Sequence, residues 1–371
     1  MARPYNFAAG PSTLPESVLK RIQSEIMDCG CGYSILEASH RGAVVMGMIR
    51  DLRARIRSLL NIPENYDILF CPGGGHMQFA MVPMNLLGAG TLSTYIITGS
   101  WSKAAAKEAL RFGRVQTAYN GSGTRVPGDD EIEINPETSY CAYCENETVH
   151  GVEFKVPPSM EATPSVPLVA DQSSNFLSRP VDVSKFGLIW AGVQKNFGVP
   201  GIAVVILRRD LLGLASNEVP MMLNYSVYSR SESVMNTPPV FALYVSHLMA
   251  QWIEEKGGLE AMNRLAIERS TIVYDAIDSM PEMYTGHVEK DSRSRMNVVF
   301  RLRDEQLTPV FVKEAAAAGL VNLAGHRSVG GLRASLYNAM PPEGAVALAN
   351  FMKDFAHRHP LNVTVPVAGG N

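Results

Sequence analysis

The chain has few cysteines, and none of them falls in a clear disulfide or metal-binding pattern. Its 371 residues include five cysteines. Cys141 and Cys144 are spaced like a redox or zinc pair, but they lie in an apolar, strand-like run, where residues three apart point to opposite faces. Cys29 and Cys31 can face one side, yet no second ligand pair matches their spacing. We therefore expect reduced cysteines and no bound metal, as is usual in the cytoplasm.

The chain also lacks the patterns of export, membrane insertion and nucleic-acid binding. The first six residues have neither the basic nor the apolar region of a signal peptide. No charged residue lies between Asp67 and Lys103, but prolines and glycines interrupt this stretch, so we expect no membrane span. A net charge of -3 and a pI of 6.3 do not favour binding to nucleic acid. We expect a cytoplasmic protein that binds anions through local basic clusters.

The length and the hydrophobic pattern predict one large and one smaller domain. Hydrophobic residues make up 46% and charged residues 19% of the chain, which is typical of a globular protein. Alternating strand and helix patterns over residues 66–210 predict an α/β domain with a doubly wound, mostly parallel sheet. After two long helices the pattern becomes that of an α+β domain. We expect an N-terminal arm at 1–15 that packs with the small domain, a large domain at 16–258 and a small domain at 259–371.

A lysine stands at the end of one strand-like apolar run. The run begins at Phe186 and stops at Gln194 and Lys195, with glycine on both sides. At the end of a buried strand, desolvation favours the neutral amine, which suits Schiff-base chemistry with a carbonyl group. A lysine just after a strand is more often a solvated surface residue, so the position alone leaves both interpretations open.

A carboxylate ends a second strand-like run. Residues 166–170 form the run, and Asp171 follows it. A lysine and a carboxylate at the ends of buried strands are what pyridoxal 5'-phosphate requires, because the lysine binds the aldehyde and the carboxylate pairs with the pyridinium nitrogen. Asp171 can also be a helix cap or a turn residue. The two runs together favour the cofactor.

Other candidate site residues also follow predicted strands. Gly75 lies in a glycine turn between a strand and a helix, where backbone N–H groups can bind a phosphate, although the turn is neither a Walker loop nor a GxGxxG motif. Trp101 can lie flat on a planar ring or belong to the core. Because ligands collect at the carboxyl ends of parallel strands, we expect Gly75, Trp101, Thr148, Asp171 and Lys195 to share one site.

Two short basic clusters can capture phosphate or carboxylate groups. His40 and Arg41 precede a long predicted helix, and His326, Arg327 and Arg333 surround a glycine turn. Arginine binds such anions through two hydrogen bonds at once. The alternative is that both clusters are solvated loops.

These residues fall in motifs that resemble one family. The chain resembles the phosphoserine aminotransferases, which are fold-type-I, class V transaminases that depend on pyridoxal phosphate. The matching motifs run in family order over practically the whole chain: Asn6-Phe7, Gly10-Pro11, Ser39-His40-Arg41, Gly73-Gly74-Gly75, Gln78-Phe79-Ala80, Gly99-Ser100-Trp101, Asn146-Glu147-Thr148, Ala170-Asp171, residues 177–187, residues 191–196, residues 236–239, Gly325-His326-Arg327, Gly330-Gly331, Arg333-Ala334-Ser335 and Tyr337-Asn338-Ala339. The resemblance implies a mostly parallel seven-stranded sheet in the large domain and an α+β small domain.

The resemblance also implies roles around the cofactor ring. Lys195 would hold pyridoxal phosphate as a Schiff base and move the proton between Cα and C4′. Asp171 would pair with the ring nitrogen, Trp101 would stack on the ring, and Thr148 would lie near its face or phenolic oxygen. The residues implied for the cofactor phosphate are Gly75, His76, Gln194, Asn236 and Thr237. In this family the last two come from the neighbouring subunit, so a homodimer with shared active sites is implied.

For the substrates, the resemblance implies a set of cations. Arg333 would bind the α-carboxylate. The residues implied for the distal phosphate of phosphoserine, or for the γ-carboxylate of glutamate, are His40, Arg41, His326 and Arg327. Some relatives carry arginine where this chain has His76, and Phe197 and Val199 depart from the residues that often follow the lysine, where we expect only local repacking.

The implied activity is a ping-pong transfer of an amino group between glutamate and 3-phosphohydroxypyruvate, in serine biosynthesis. Some bacterial relatives also act on a phosphorylated hydroxythreonine precursor of vitamin B6, which the sequence does not decide. The alternatives are an alanine–glyoxylate or serine–pyruvate transaminase, a cysteine desulfurase, and a binding protein that has kept the fold. An intact Lys195 and Asp171 argue against the last.

Overall fold

The computed structural model describes residues 3–88 and 91–361, and within these ranges the chain forms a large α/β unit and a smaller α+β unit. Residues 362–371, which the predicted small domain includes, lie outside the described residues. The strands are β1 (Tyr5–Asn6), β2 (Tyr66–Pro72), β3 (Leu92–Ile97), β4 (Arg114–Asn120), β5 (Cys141–Cys144), β6 (Asn146–Glu147), β7 (Val152–Glu153), β8 (Leu168–Asp171), β9 (Leu188–Gly192), β10 (Ile202–Arg208), β11 (Tyr284–Thr285), β12 (Asn297–Leu302), β13 (Leu320–Val321) and β14 (Leu332–Ser335). The α-helices are α1 (Glu16–Glu25), α2 (Ala43–Leu59), α3 (Gly74–Leu86), α4 (Ser100–Ala109), α5 (Tyr225–Arg230), α6 (Val240–Glu255), α7 (Gly258–Asp278), α8 (Thr308–Ala317) and α9 (Pro342–Arg358).

The large unit is built on a seven-stranded sheet. The strand order is β2-β10-β9-β8-β5-β3-β4, in which β10 runs antiparallel to both neighbours and the other pairs are parallel. The predicted mostly parallel sheet is therefore confirmed. Alternate residues of the buried strands face two separate apolar clusters, one shared with α2 and α6 and the other with α3 and α4. Helices thus cover both faces, and the carboxyl ends of the parallel strands meet at one edge.

The elements of this unit that were not predicted include β4 and α5. The strand β4 lies at the edge of the sheet, where exposed and half-buried side chains hide the apolar pattern of a core strand. The helix α5 lies within residues 215–240, a stretch whose sequence shows no regular helical or strand pattern. It is only one and a half turns long, and the Asn224 side chain caps it by accepting a hydrogen bond from Ser226 N.

The small unit carries its own core. A three-stranded sheet, β11-β12-β14, packs with α8, α9 and the second half of α7. The helix α7 contributes to both units, because Leu259 and Met262 lie in the core of the large sheet, whereas Val273 and Ile277 lie in that of the small one. The N-terminal arm joins the small unit through the pairing of β1 with β13 and through the buried Phe7.

Polar contacts fasten the two units together. The fully buried Glu153 of β7 binds Arg295 with N···O distances of 2.6 and 3.3 Å, and it also accepts from the Arg295 backbone N–H at 2.8 Å. Asn297 of β12 accepts from Asn146 of β6 at 2.8 Å. These bonds hold the small unit against the edge of the large sheet where the parallel strands end.

In the described ranges, none of the helices is both long and apolar enough to cross a lipid bilayer.

Candidate active site

A cavity of about 310 Å³ lies between the carboxyl ends of the parallel strands, the N-terminal arm and the small unit. Its walls include Asp171 at the end of β8 and Lys195, three residues after β9. The lining residues are Ala9, Gly10, Gly75, His76, Phe79, Trp101, Thr148, Val149, Asp171, Ser173, Trp190, Gln194, Lys195, His326 and Arg333. The structure therefore brings together all five residues that we expected at the strand ends.

Lys195 is half-buried and held at both its amine and its backbone. Its Nζ donates to Thr148 Oγ1 at 2.8 Å and lies 5.2 Å from the centroid of the Trp101 ring. The carbonyl oxygens of Gln194 and Lys195 accept hydrogen bonds from Ser12 of the N-terminal arm. Burial lowers the pKa of Lys195, and the negative charge of Asp171 acts in the opposite direction. The amine is thus fixed in place and shifted toward its neutral, nucleophilic form.

Asp171 is a carboxylate with one oxygen bound and the other available. Its Oδ1 accepts from Ser173 N at 2.9 Å and from Ser173 Oγ at 2.6 Å. Among the described residues, the one hydrogen-bond donor to Oδ2 is the Cys144 thiol, at 3.9 Å. Burial raises the pKa of Asp171, while Lys195 lowers it. The free oxygen suits a cationic N–H donor such as a pyridinium nitrogen. Ser173, which orients this carboxylate, was not predicted from the sequence.

Trp101 is positioned by a buried carboxylate. Glu147, fully buried, accepts from Trp101 N at 2.9 Å, from Ser102 N at 2.8 Å and from Ser102 Oγ at 2.6 Å. A Cβ on Gly99 would lie 2.6 Å from Glu147 Cδ, so only glycine leaves room for this carboxylate. Burial raises the pKa of Glu147, and the bonds from Ser102 and Trp101 oppose that shift. Because Thr148 follows directly, one short segment positions both Trp101 and the Lys195 amine.

Glu147 was not predicted as a site residue either. The motif Asn146-Glu147-Thr148 pointed only to Thr148, because a glutamate after a strand is usually solvated. Its contact with the helix start of α4 depends on the parallel pairing of β3 with β5, which the linear sequence does not display.

The start of α3 presents free backbone N–H groups to the cavity. Gly73, with φ of 94°, precedes the helix in the left-handed conformation, and no side chain caps its first turn. A Cβ on Gly75 would lie 3.1 Å from Trp190 Cζ3, so the glycine allows close packing against β9. The His76 ring lies edge-on to Trp101, with centroids 5.4 Å apart at 84°. These amides and the helix dipole suit a phosphate group.

Two basic side chains of the small unit, Arg333 and His326, face the same cavity. Arg333 of β14 donates from Nη1 to Thr148 O at 3.3 Å, and His326 hydrogen-bonds Ser328 Oγ through Nδ1 at 2.7 Å. Burial lowers the pKa of Arg333, and burial together with Arg333 lowers the pKa of His326. The guanidinium keeps most of its donors for a ligand. The neighbouring Arg327 is exposed and does not line the cavity.

Four further predicted site residues also lie outside the cavity of their own chain. Arg41 and Thr237 are exposed. His40 Nε2 and Asn236 Oδ1 are buried, yet neither finds a hydrogen-bond partner among residues 3–88 and 91–361. Within the described residues of one chain, these four residues therefore do not join the other predicted site residues at the cavity.

The fold and the site define the class of the protein. A lysine and a carboxylate at neighbouring strand ends, beside an aromatic ring and a free helix start, are the elements of a pyridoxal-phosphate aminotransferase, and the family model for class-V aminotransferases matches residues 4–348. The cofactor of this class, pyridoxal phosphate, fits the residues present, because Asp171 Oδ2, the Trp101 ring and the first amides of α3 all remain available.

Comparison with individual proteins narrows the class. The phosphoserine aminotransferase of Laribacter hongkongensis is 48% identical over 359 residues, which is 96% of this chain and 99% of that protein. That of Geobacillus kaustophilus is 46% identical over 96% of this chain and 99% of its own length. The solved phosphoserine aminotransferase of Bacillus circulans subsp. alkalophilus has a TM-score of 0.93 at 45% identity, covering 96% of this chain and 99% of that one. The chain belongs to the phosphoserine aminotransferase family. An alanine–glyoxylate aminotransferase from Nostoc sp., at 16% identity and a TM-score of 0.77, shares the fold alone.

Proposed function

We propose that the chain transfers an amino group between L-glutamate and 3-phosphohydroxypyruvate, forming O-phospho-L-serine and 2-oxoglutarate. The observation that carries this proposal is the meeting of Lys195, Asp171 and Arg333 in one cavity, in a chain whose relatives are phosphoserine aminotransferases over nearly their full length. The substrates are small 2-oxo and amino acids, and we place the reaction in the cytoplasm, where structural disulfides are rare, because the five cysteines are all free.

Pyridoxal phosphate, when bound, withdraws electrons from the amino-acid Cα and makes its proton labile. The chain's own groups control that chemistry. Lys195 would hold the cofactor covalently and would move the substrate proton between Cα and C4′, a role that its lowered pKa supports because a neutral amine can act as a base. Asp171 would pair with the ring nitrogen and keep it protonated, Trp101 would stack on the ring, and Thr148 would lie near its face or phenolic oxygen. Gly75 and His76, at the start of α3, and Gln194 would hold the cofactor phosphate.

Substrate recognition relies on cations. Arg333 would bind the α-carboxylate. His326 and Arg327 follow one another in a loop and would bind the distal group, His326 from the cavity wall and the exposed Arg327 from outside it. A phosphate dianion in one half-reaction and a γ-carboxylate in the other need several flexible donors, because a neutral pocket would impose a desolvation cost of several kcal/mol.

The remaining residues are supplied by a second copy of the chain. We propose a homodimer in which His40 and Arg41 complete the substrate pocket of the partner, and Asn236 and Thr237 complete its phosphate site. The proposal is supported by their position outside their own cavity and by the buried His40 Nε2 and Asn236 Oδ1, which lack partners in the described part of the chain.

Half-reaction spectra test the substrate. We expect phosphoserine to change the absorbance spectrum of the bound cofactor at a far lower concentration than serine does. In the Lys195→Ala variant this spectral change should be abolished. Arg41→Ala should weaken the response to phosphoserine at least tenfold and leave the response to serine unchanged, whereas Arg264→Ala, an exposed control on α7, should change neither. Equal losses for both substrates with Arg41→Ala would refute the phosphate pocket and favour an alanine–glyoxylate or serine–pyruvate type of transaminase.

Subunit mixing tests the shared site. Lys195→Ala and Asn236→Ala each inactivate every site of their own homodimer. A mixed dimer contains one site with an intact Lys195 and an intact Asn236 from different chains, so activity should reappear on mixing. If no activity reappears although mixed dimers form, each chain builds its site alone.

A further inference from the structure

The loop that follows α1 holds two thiols in contact. The Sγ atoms of Cys29 and Cys31 lie 3.3 Å apart, and both side chains are partly exposed. Tyr33 O accepts from Cys29 N at 3.2 Å and lies 3.5 and 3.7 Å from the two sulfurs. Residues 28–33, which we call the thiol loop, therefore close on themselves with both sulfurs on one side.

The thiol loop keeps this shape through contacts that do not involve sulfur. Asp28 Oδ1 accepts from the backbone N–H groups of Gly30, Cys31 and Gly32 at 2.8, 3.0 and 2.8 Å. Gly30 and Gly32 have φ of 94° and 85°, a conformation that other residues adopt only at a cost. A Cβ on either glycine would meet no atom within 4 Å, so the described residues leave open space around both glycines, and Cys29 and Cys31 are themselves partly exposed.

We propose that Cys29 and Cys31 form a reversible redox pair, in which a small-molecule disulfide such as oxidised glutathione drives the closure of a disulfide within the thiol loop. The Cys29 thiolate attacks one sulfur of the reagent, and the first thiolate of the reagent leaves. The Cys31 thiolate then attacks the Cys29 sulfur and displaces the second. Two protein thiols become one disulfide, and one disulfide becomes two thiols, so electrons and protons balance.

The geometry favours ring closure over a lasting mixed disulfide. Because the two sulfurs are already in contact, the second step is intramolecular, and its effective concentration far exceeds that of any competing thiol in solution. Burial, followed by the neighbouring Cys31 thiol, raises the pKa of Cys29, so the reaction accelerates as the pH rises through the alkaline range.

The other three cysteines provide an internal control. Cys71, Cys141 and Cys144 are buried, and burial raises the pKa of each, to about 12 for Cys141. In the native enzyme they should not react under conditions that oxidise the thiol loop.

Mass spectrometry of the holoenzyme tests the inference. After incubation with oxidised glutathione at pH 8, alkylation and digestion, the peptide with Cys29 and Cys31 should lose two hydrogens, carry no glutathione and return to its starting mass with dithiothreitol. The variant Cys31→Ser should instead carry one glutathione on Cys29, because ring closure is blocked. Cys29→Ser with Cys31→Ser should show neither change.

Two results would overturn the inference. A wild-type peptide that carries glutathione without losing two hydrogens would show that the ring does not close. A Cys31→Ser variant that takes up no glutathione, together with an unmodified wild-type peptide, would show that Cys29 is not accessible.

Discussion

Replacing Glu147 with alanine should destabilise the protein and loosen the site at once. The variant removes three hydrogen bonds to a fully buried carboxylate, those from Trp101 N, Ser102 N and Ser102 Oγ. At about 1 kcal/mol net for each bond, the loss is about 3 kcal/mol, and the orphaned N–H groups at the start of α4 act in the same direction. That is a large fraction of the total stability of a typical domain, which is about 5–15 kcal/mol.

Glu147→Ala should also lower the affinity of the protein for pyridoxal phosphate. Trp101 is fixed by its backbone bond to Glu147, and an aromatic stacking contact contributes about 1 kcal/mol beyond buried area. A displaced ring should therefore weaken pyridoxal phosphate binding by about fivefold. Equilibrium unfolding of the cofactor-free protein in urea measures the first effect, and absorbance titration with the cofactor measures the second.

A matched control separates this role from that of any acidic residue at a helix start. Glu260 lies in the first turn of α7 but is exposed, so Glu260→Ala should cost less than about 1 kcal/mol and leave cofactor binding unchanged. Glu147→Gln keeps the shape but replaces one acceptor oxygen with a donor, so it should fall between alanine and wild type. If Glu147→Ala unfolds like wild type and binds the cofactor with unchanged affinity, the positioning role is wrong.

Three further predictions concern neighbouring contacts. Thr148→Val removes the hydrogen-bond acceptor of the Lys195 amine. Since one such bond contributes about 1 kcal/mol, covalent attachment of pyridoxal phosphate to the cofactor-free protein should become about fivefold slower. Thr148→Ser keeps the hydroxyl and should keep the wild-type rate. Burial raises the pKa of Glu153, but Arg295 outweighs it and lowers the pKa to about 2. The folded state therefore gains stability above pH 4.5, and this stability is lost as the pH falls toward 2. Urea unfolding at several pH values in this window should show a loss of about 3 kcal/mol for the wild type and no such loss for Glu153→Gln. Asn297→Leu breaks buried hydrogen bonds to Asn146 and to two further side chains and should lower the free energy of unfolding by about 3 kcal/mol, with a wild-type result arguing against this network.

The strongly apolar strands were predictable from the sequence because burial on both faces leaves an uninterrupted hydrophobic run. The edge strand β4 escaped prediction because one edge and part of its surface face solvent, and α5 escaped because it is too short for a helical period to appear. The hydrophobic pattern of the sequence predicted a boundary between the two units at residues 258 and 259. In the structure, α7 crosses this boundary and contributes side chains to both cores.

For the candidate site, position after a strand was informative for Lys195 and Asp171, because parallel strands deliver their carboxyl ends to a common edge. The same rule did not identify Ser173 or Glu147. Their contribution is to orient Asp171 and Trp101, and such contacts exist only once loops from separate strands pack together.

By itself, the sequence determined which candidate residues stand just after a strand, because strand periodicity and residue type are local properties. Only the tertiary structure decided which of them share a cavity, which oxygen of Asp171 remains free, and that His40 Nε2 and Asn236 Oδ1 lack a hydrogen-bond partner among the described residues. Those facts depend on contacts between residues far apart in the chain, and packing alone sets such contacts.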